Sequence, residues 1–304
     1  MHEIDRIIAA ANQLIVEGKR GILVTVVATR GSTYRRAGAR AVISEEGQTS
    51  GTLSGGCLER DLAERARQWL SDFTPRVVSY DSTRSDDVVF GLGLGCRGET
   101  ELLIEPFDAL HVPRLLTGFA WQGRGVVSWT TALPGRDEPL VESIHPQRSI
   151  LIVGGGPDCQ PVARMAEQIG WLATIIAPRD VHPLNLEASV QFSQFDAAVV
   201  MTHNFLQDLE LLGALLPSSI RFVGLLGPKE RGRELLSKIT GLSERDRTRL
   251  HSPIGLDLGG ETPEEIALSI MAEVQAVLNE RSGAPLRESD QPIHARSADP
   301  VACP

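Results

Sequence analysis

The stretch Thr52-Leu53-Ser54-Gly55-Gly56-Cys57-Leu58-Glu59 sets a cysteine directly behind two glycines, at the head of a helical pattern in which Leu58, Leu62, Ala66 and Trp69/Leu70 recur. Cys57 therefore falls in the first helical turn. There the unpaired backbone N–H groups and the positive end of the helix dipole favour a thiolate or a bound anion. Gly55 and Gly56 leave room for a ligand to approach the backbone itself. The plainer reading of such a cysteine is a small buried residue. A second cysteine, Cys96, stands in Gly91-Leu92-Gly93-Leu94-Gly95-Cys96-Arg97-Gly98, with glycine at nearly every other position. That density belongs to a loop whose backbone comes close to something, or to a tight structural turn. Arg30, Arg35, Arg36 and Arg40 add a local positive patch suited to a small anion.

The elements around these residues follow from periodicity. Ile4, Ile7, Ile8, Ala11, Leu14 and Ile15 make an amphipathic opening helix that ends near Gly18. Residues 21–29 are too apolar and β-branched to have a wet face, so they form a buried central strand. Strands at 39–44 and 48–53 pair as a hairpin that delivers the chain to Cys57, and 76–80 and 100–105 are further strands. A helix is expected over 110–121, a strand over 125–133, and a linker between Pro134 and Arg148.

The second half alternates strand and helix. Strands at 149–153, 171–176, 196–201 and 221–226 alternate with a helix after Gly156, in which Val162, Met165/Ala166 and Ile169 face inward, and with helices near 206–215 and 230–239. Thr262-Pro263-Glu264-Glu265 supplies an N-cap, a first-turn proline and two acids for a closing helix. The fold class is therefore α/β: an N-terminal α+β domain over residues 1–140, then a Rossmann-like doubly wound parallel sheet over 148–280. Residues 281–304, rich in Pro, Ser, Ala and Arg without periodicity, are expected to be a disordered tail containing Cys303.

In the second half, Gly154 and Gly156 after a strand and before a helix are half of a dinucleotide fingerprint. Cys159 replaces the third glycine, and the next strand ends at Ala177 where an acid would bind a ribose hydroxyl; Arg179 is a weak candidate for a 2′-phosphate. NAD(P) binding is accordingly not expected, although an NAD(P)-dependent oxidoreductase remains the alternative reading of this domain. His203, at a strand's carboxyl end, sits where such sheets place ligand-binding groups.

Composition narrows the setting. A formal net charge of −9 over 304 residues disfavours unspecific attraction to nucleic acid or anionic membrane. The four cysteines are widely spaced, with neither a disulfide framework nor a zinc motif. No signal peptide or membrane-spanning run is evident, so the expected location is cytoplasmic.

The segments 26–33, 38–40, 54–59, 91–98, 224–227, 251–258 and 262–267 resemble the xanthine dehydrogenase accessory (XdhC/CoxI) proteins, over nearly the whole chain except the tail. The resemblance implies a maturation chaperone rather than an oxidase. Such a protein binds molybdenum cofactor, protects it, supports its sulfuration and hands it to a xanthine dehydrogenase-type or carbon monoxide dehydrogenase-type hydroxylase. The partners implied are that molybdenum hydroxylase, a cysteine desulfurase and a second copy of the chain as a homodimer. The residues it would use are Ser54, Gly55, Gly56, Cys57, Glu59, Gly95, Cys96, Arg40, Gly154, Gly156 and His203, with Cys57 or Cys96 against the molybdenum. Gly156-Pro157, where the family commonly has Gly-x-Gly-His, and Ala177 in place of a common Asp are departures that argue further against a nucleotide.

Overall fold

A computed structural model describes residues 2–81, 98–121, 125–178 and 190–289. The chain divides into two compact units, Met1–Pro146 and Gln147–Pro304.

The first unit is built on one strand. β1 (Gly21–Gly31) carries Ile22, Leu23, Val24 and Val26 without solvent exposure, and such a strand must be covered on both faces. It lies at the centre of an antiparallel sheet of order β3-β2-β1-β5-β4, with β2 (Arg40–Ser44), β3 (Thr49–Gly51), β4 (Arg76–Asp81) and β5 (Gly98–Phe107). Because side chains alternate, Ile22, Val24, Ala41, Ile43, Leu102 and Ile104 face one way. They pack under α2 (Cys57–Asp72) through Leu62, Ala66, Trp69 and Leu70. Leu23, Val42 and Phe107 face the other way, under α1 (Glu3–Val16), the short α3 (Arg114–Gly118) and the hairpin of β6 (Val127–Thr131) with β7 (Leu140–Ile144).

Three expectations need correction here. The helix expected over 110–121 is the five-residue α3. Pro113 disfavours helical backbone in the residue before it, and the Asp108 side chain accepts from the N–H groups of Leu110 and His111, so the segment turns before it coils. Residues 140–144 of the expected linker are the strand β7. Arg40, expected as a partner for a ligand phosphate, is buried. Its guanidinium donates to the Glu142 carboxylate and to the Gly38 carbonyl at 2.8 Å, on the sheet face opposite α2 and the Cys57 turn.

The second unit is a parallel sheet of order β12-β11-β10-β8-β9, with β8 (Ser149–Val153), β9 (Leu172–Ile176), β10 (Ala197–Val200), β11 (Phe222–Leu225) and β12 (Leu250–His251). One face buries Ile150, Ile152, Ala197 and Val199 under α4 (Cys159–Gln168) and α8 (Pro263–Leu278). The other buries Leu151, Val153, Ala198, Val200 and Val223 under α5 (Phe205–Leu215) and α6 (Lys229–Lys238). Helices on both faces of a parallel sheet make this a doubly wound, Rossmann-type domain. A further short helix, α7 (Glu244–Thr248), precedes β12. Ile169, expected to face inward, is 48% exposed because α4 ends at Gln168 and the backbone is already turning toward Gly170. α8 starts as its sequence indicates: the Thr262 hydroxyl accepts from the Glu265 N–H, and the Glu265 carboxylate accepts from the Thr262 N–H at 2.9 Å. Residues 281–289 of the expected tail are exposed, and 290–304, with Cys303, lie outside the described residues.

The Arg40–Glu142 pair gives a direct test of this packing. Glu142→Gln should lower unfolding free energy by about 3 kcal/mol, because it leaves a buried guanidinium charge uncompensated. Arg136→Gln, which breaks the more exposed pair with Glu101, should cost less than about 1 kcal/mol in the same urea titration.

Candidate functional site

The turn before α2 is organised by Glu59. Its carboxylate accepts from the backbone N–H groups of Leu53 at 2.7 Å, Ser54 at 2.8 Å and Gly56 at 3.2 Å, and from the Ser54 hydroxyl. The Ser54 oxygen in turn accepts from the Leu58 N–H at 3.1 Å. Burial alone would raise the Glu59 pKa, but these bonds outweigh it and hold the carboxyl below its ordinary range. The cradle expected to receive a ligand's anion is thus largely filled by an anion of the chain itself. Ser54 and Glu59 spend these groups on building the turn.

What the turn leaves open is its outer side. Gly56 has φ +111°, a left-handed conformation that favours glycine, and the space where side chains at Gly55 and Gly56 would stand is empty. Cys57, half-buried and free of any disulfide, follows immediately as the first residue of α2. Of the nearby arginines, Arg35 is tied to Glu3 at 2.7 Å and to the Thr52 carbonyl at 3.2 Å, while Arg30 is 86% exposed. Gly95 and Cys96 lie outside the described residues.

In the second unit the loops after β8 and β10 meet at the carboxyl edge of the sheet. β8 connects through α4 to β9 on one side and is paired with β10 on the other, so the crevice between β8 and β10 is the topological switch point of the fold. Gly154 is required there: a Cβ would stand 2.6 Å from the Cys159 sulfur and 2.7 Å from the Met201 carbonyl oxygen. Cys159, in the position of the missing third glycine, is buried against that turn, and burial together with the Asp158 charge pushes its thiol pKa up. It is a packing residue. His203 adopts φ +58°, in the left-handed region, and places Nε2 2.8 Å from Asp158 Oδ2. Beside it, the Thr202 hydroxyl donates to the buried Asp208, which also accepts from Arg231 Nε at 3.1 Å. Asp158 had no signal in the sequence, because its partner His203 lies in a loop 45 residues away. A Cβ at Gly156 would stand 2.3 Å from Asp158 Oδ1, so a carboxylate stands at the start of α4 where a pyrophosphate would bind.

Fold and site together define a class: an α+β domain with a glycine-flanked cysteine at a helix start, joined to a Rossmann-type domain whose dinucleotide fingerprint is incomplete. Residues 14–81 match the model of the XdhC and CoxI family, and residues 150–274 match that of the XdhC Rossmann domain. The chain belongs to the XdhC and CoxI family. It is 28% identical to a Bacillus subtilis protein named as a probable xanthine dehydrogenase subunit, over 86% of this chain and 94% of that protein. It is 25% identical to the molybdenum cofactor insertion chaperone PaoD of Escherichia coli, over 89% of this chain and 87% of that one. The crystal structure of a xanthine dehydrogenase from Bacillus halodurans superposes with a TM-score of 0.74 at 27% identity, covering 95% of this chain and 99% of that one. Among the described residues no helix is long and apolar enough to cross a membrane, and no cluster of His, Cys, Asp and Glu could hold a metal ion.

Two outcomes follow from this geometry. Glu59→Gln should cost roughly 1 kcal/mol at neutral pH, as loss of a helix cap does. Since the folded-state pKa of Glu59 is depressed, its contribution is present above the unfolded value of about 4.3 and is lost as pH falls through the lower folded value. The melting temperatures of parent and variant should therefore converge in acid. At neutral pH, millimolar NAD or NADP should leave the melting temperature unchanged, because the Asp158 carboxylate repels a pyrophosphate at α4; a saturable rise would overturn that reading.

Proposed function

We propose that this protein is a molybdenum cofactor-binding accessory factor, which protects the cofactor, supports its sulfuration by a cysteine desulfurase and delivers it to a xanthine dehydrogenase- or carbon monoxide dehydrogenase-type hydroxylase. Family membership and the name of the Escherichia coli relative support the general role. The observation that carries the reading to residues is Cys57, a free thiol at the head of α2 beside two glycines with open space above them. The bound cofactor would supply a soft molybdenum centre with an exchangeable oxo or sulfido ligand.

The residues present fit part of this group. Cys57 offers a soft sulfur donor, and Gly55 and Gly56 permit close approach of a flat ring system. The anion-binding part is different from a helix N-terminus cradle, since Glu59 holds those N–H groups. Arg30, exposed near the end of β1 with Glu99 at 3.9 Å, is one cation that a phosphate would meet at this end of the sheet. Arg40 is committed to Glu142 and takes no part. Cys96 and Gly95 enter this reading from the sequence alone, as a second thiol on a glycine loop. In the Rossmann-type domain, His203 held by Asp158 at the switch point, with Gly154 and Gly156 beside it, offers a hydrogen-bonding edge to whichever part of the cofactor or client reaches it.

Molybdenum and pterin retained by the purified chain test the reading. Cys57→Ser and Cys96→Ser should each melt near the parent temperature, while at least one loses retained molybdenum and fails to activate a client hydroxylase. If both retain and deliver cofactor as the parent does, or if both unfold, the cysteines do not have this role.

A further inference from the structure

β9 ends the parallel sheet, paired with β8 on one side and with no strand on the other. Its hydrogen bonds show which residues look outward. The Leu172 N–H donates to the Arg148 carbonyl at 2.7 Å, and the Ile176 carbonyl accepts from the Gly154 N–H at 3.0 Å, so both residues turn their backbone toward β8. In a parallel pair the N–H and C=O of one residue point to the same side, and that side alternates along the strand. Thr174 therefore also faces β8, while Ala173 and Ile175 present both groups to the open edge. Among the described residues nothing bonds to them there.

Edge strands are guarded by charges, proline, a bulge or a covering element. β9 has none of the first three. Its register with β8 is unbroken from Ser149↔Leu172 to Val153↔Ile176, and the sequence from Gln168 to Ala177 carries neither a charged residue nor a proline. The composition is that of an interior strand of a parallel sheet. Yet Leu172 is 50% exposed, Ile169 just before it is nearly as open, and Thr174 is exposed as well.

Such an edge complements itself. Two copies related by a two-fold axis through Thr174 bring Ala173 opposite the partner's Ile175 and Ile175 opposite the partner's Ala173, and each pair exchanges both of its bonds, so every outward group is used. Moving the axis to Ala173 would set Ile175 against the partner's Trp171, and the Trp171 N–H is already given to the Ala166 carbonyl. Side chains agree with the first register: small Ala173 meets Ile175 on one face, and Leu172 meets Ile176 on either side of the Thr174 pair on the other. A chain of net charge −9 repels itself, and a charge-free surface is where a second copy meets least repulsion.

We infer that the outer edge of β9 is the surface on which a second copy of this chain docks, continuing the sheet by antiparallel pairing across a two-fold axis at Thr174. The inference stands apart from the cofactor reading, since it uses no residue of the Cys57 turn or of the Asp158–His203 pair.

Sedimentation velocity of the full chain, with Thr174→Lys and Thr174→Cys variants, tests it. The parent should sediment as a dimer. Thr174→Lys sets two ammonium groups opposite each other at the axis and should weaken the dimer at least about tenfold while keeping the parent's circular dichroism. In Thr174→Cys the two Cα atoms across the axis form a non-hydrogen-bonded pair about 4.5 Å apart, within disulfide reach, so mild oxidation should give a covalent dimer that the parent with its own cysteines does not form. If Thr174→Lys fails to fold, the cross-link decides. A monomeric parent, a dimer that Thr174→Lys leaves equally tight, or no more cross-linking by the Thr174→Cys chain than by the parent would each overturn the inference.

Discussion

A strand with no polar face has to be covered twice, and β1 imposes that condition on the whole first unit. Ile22, Val24 and Val26 call for a helix on one side, and α2 supplies it; Leu23 calls for cover on the other, which α1, α3 and the β6–β7 hairpin supply together. Each layer brings its own chemistry. The first sets Cys57 at a helix start beside two open glycines. The second buries Arg40, from a strand neighbouring β1, in an interface where the Glu142 carboxylate offsets its charge.

Internal carboxylates recur where an external anion was the natural expectation. Glu59 takes the N–H groups of Leu53, Ser54 and Gly56, and Asp158 stands at the first turn of α4 against His203. At α2 the helix start is thereby hydrogen-bonded before any ligand arrives, while at α4 the Asp158 carboxylate adds a negative charge without capping the helix. What remains for a ligand at the Cys57 turn is the thiol and the open backbone, a setting suited to a soft centre or a flat ring more than to a phosphate. At the switch point, what remains is an imidazole fixed by a carboxylate, in a loop whose first glycine is dictated by the sulfur of Cys159.

The second unit shows how a sheet can keep the Rossmann plan without its nucleotide fingerprint. The parallel order and helices on both faces depend on the apolar alternation of β8, β10 and β11, which Cys159 leaves undisturbed because it packs into the space above Gly154. The incomplete fingerprint leaves unchanged the fold that makes the crevice.

By itself the sequence determined the periodic parts: the central strand 21–29, the helix that begins on Cys57, the βα alternation after residue 149 and the capping box at Thr262. In each, the signal is carried by neighbours within one or two turns, so local spacing suffices. It also carried the family, through short motifs spread along both units. Only the tertiary structure decided which polar groups are spent on the fold. Glu142, in a stretch that reads as turn and linker, is 102 residues from Arg40, and Asp158 is 45 from His203. The difference between an arginine free to meet a phosphate and one locked in an ion pair is a matter of which sheet face it points from and what covers that face. Alternation along a strand gives two faces; the packing of distant elements assigns one to the helix and the other to the hairpin.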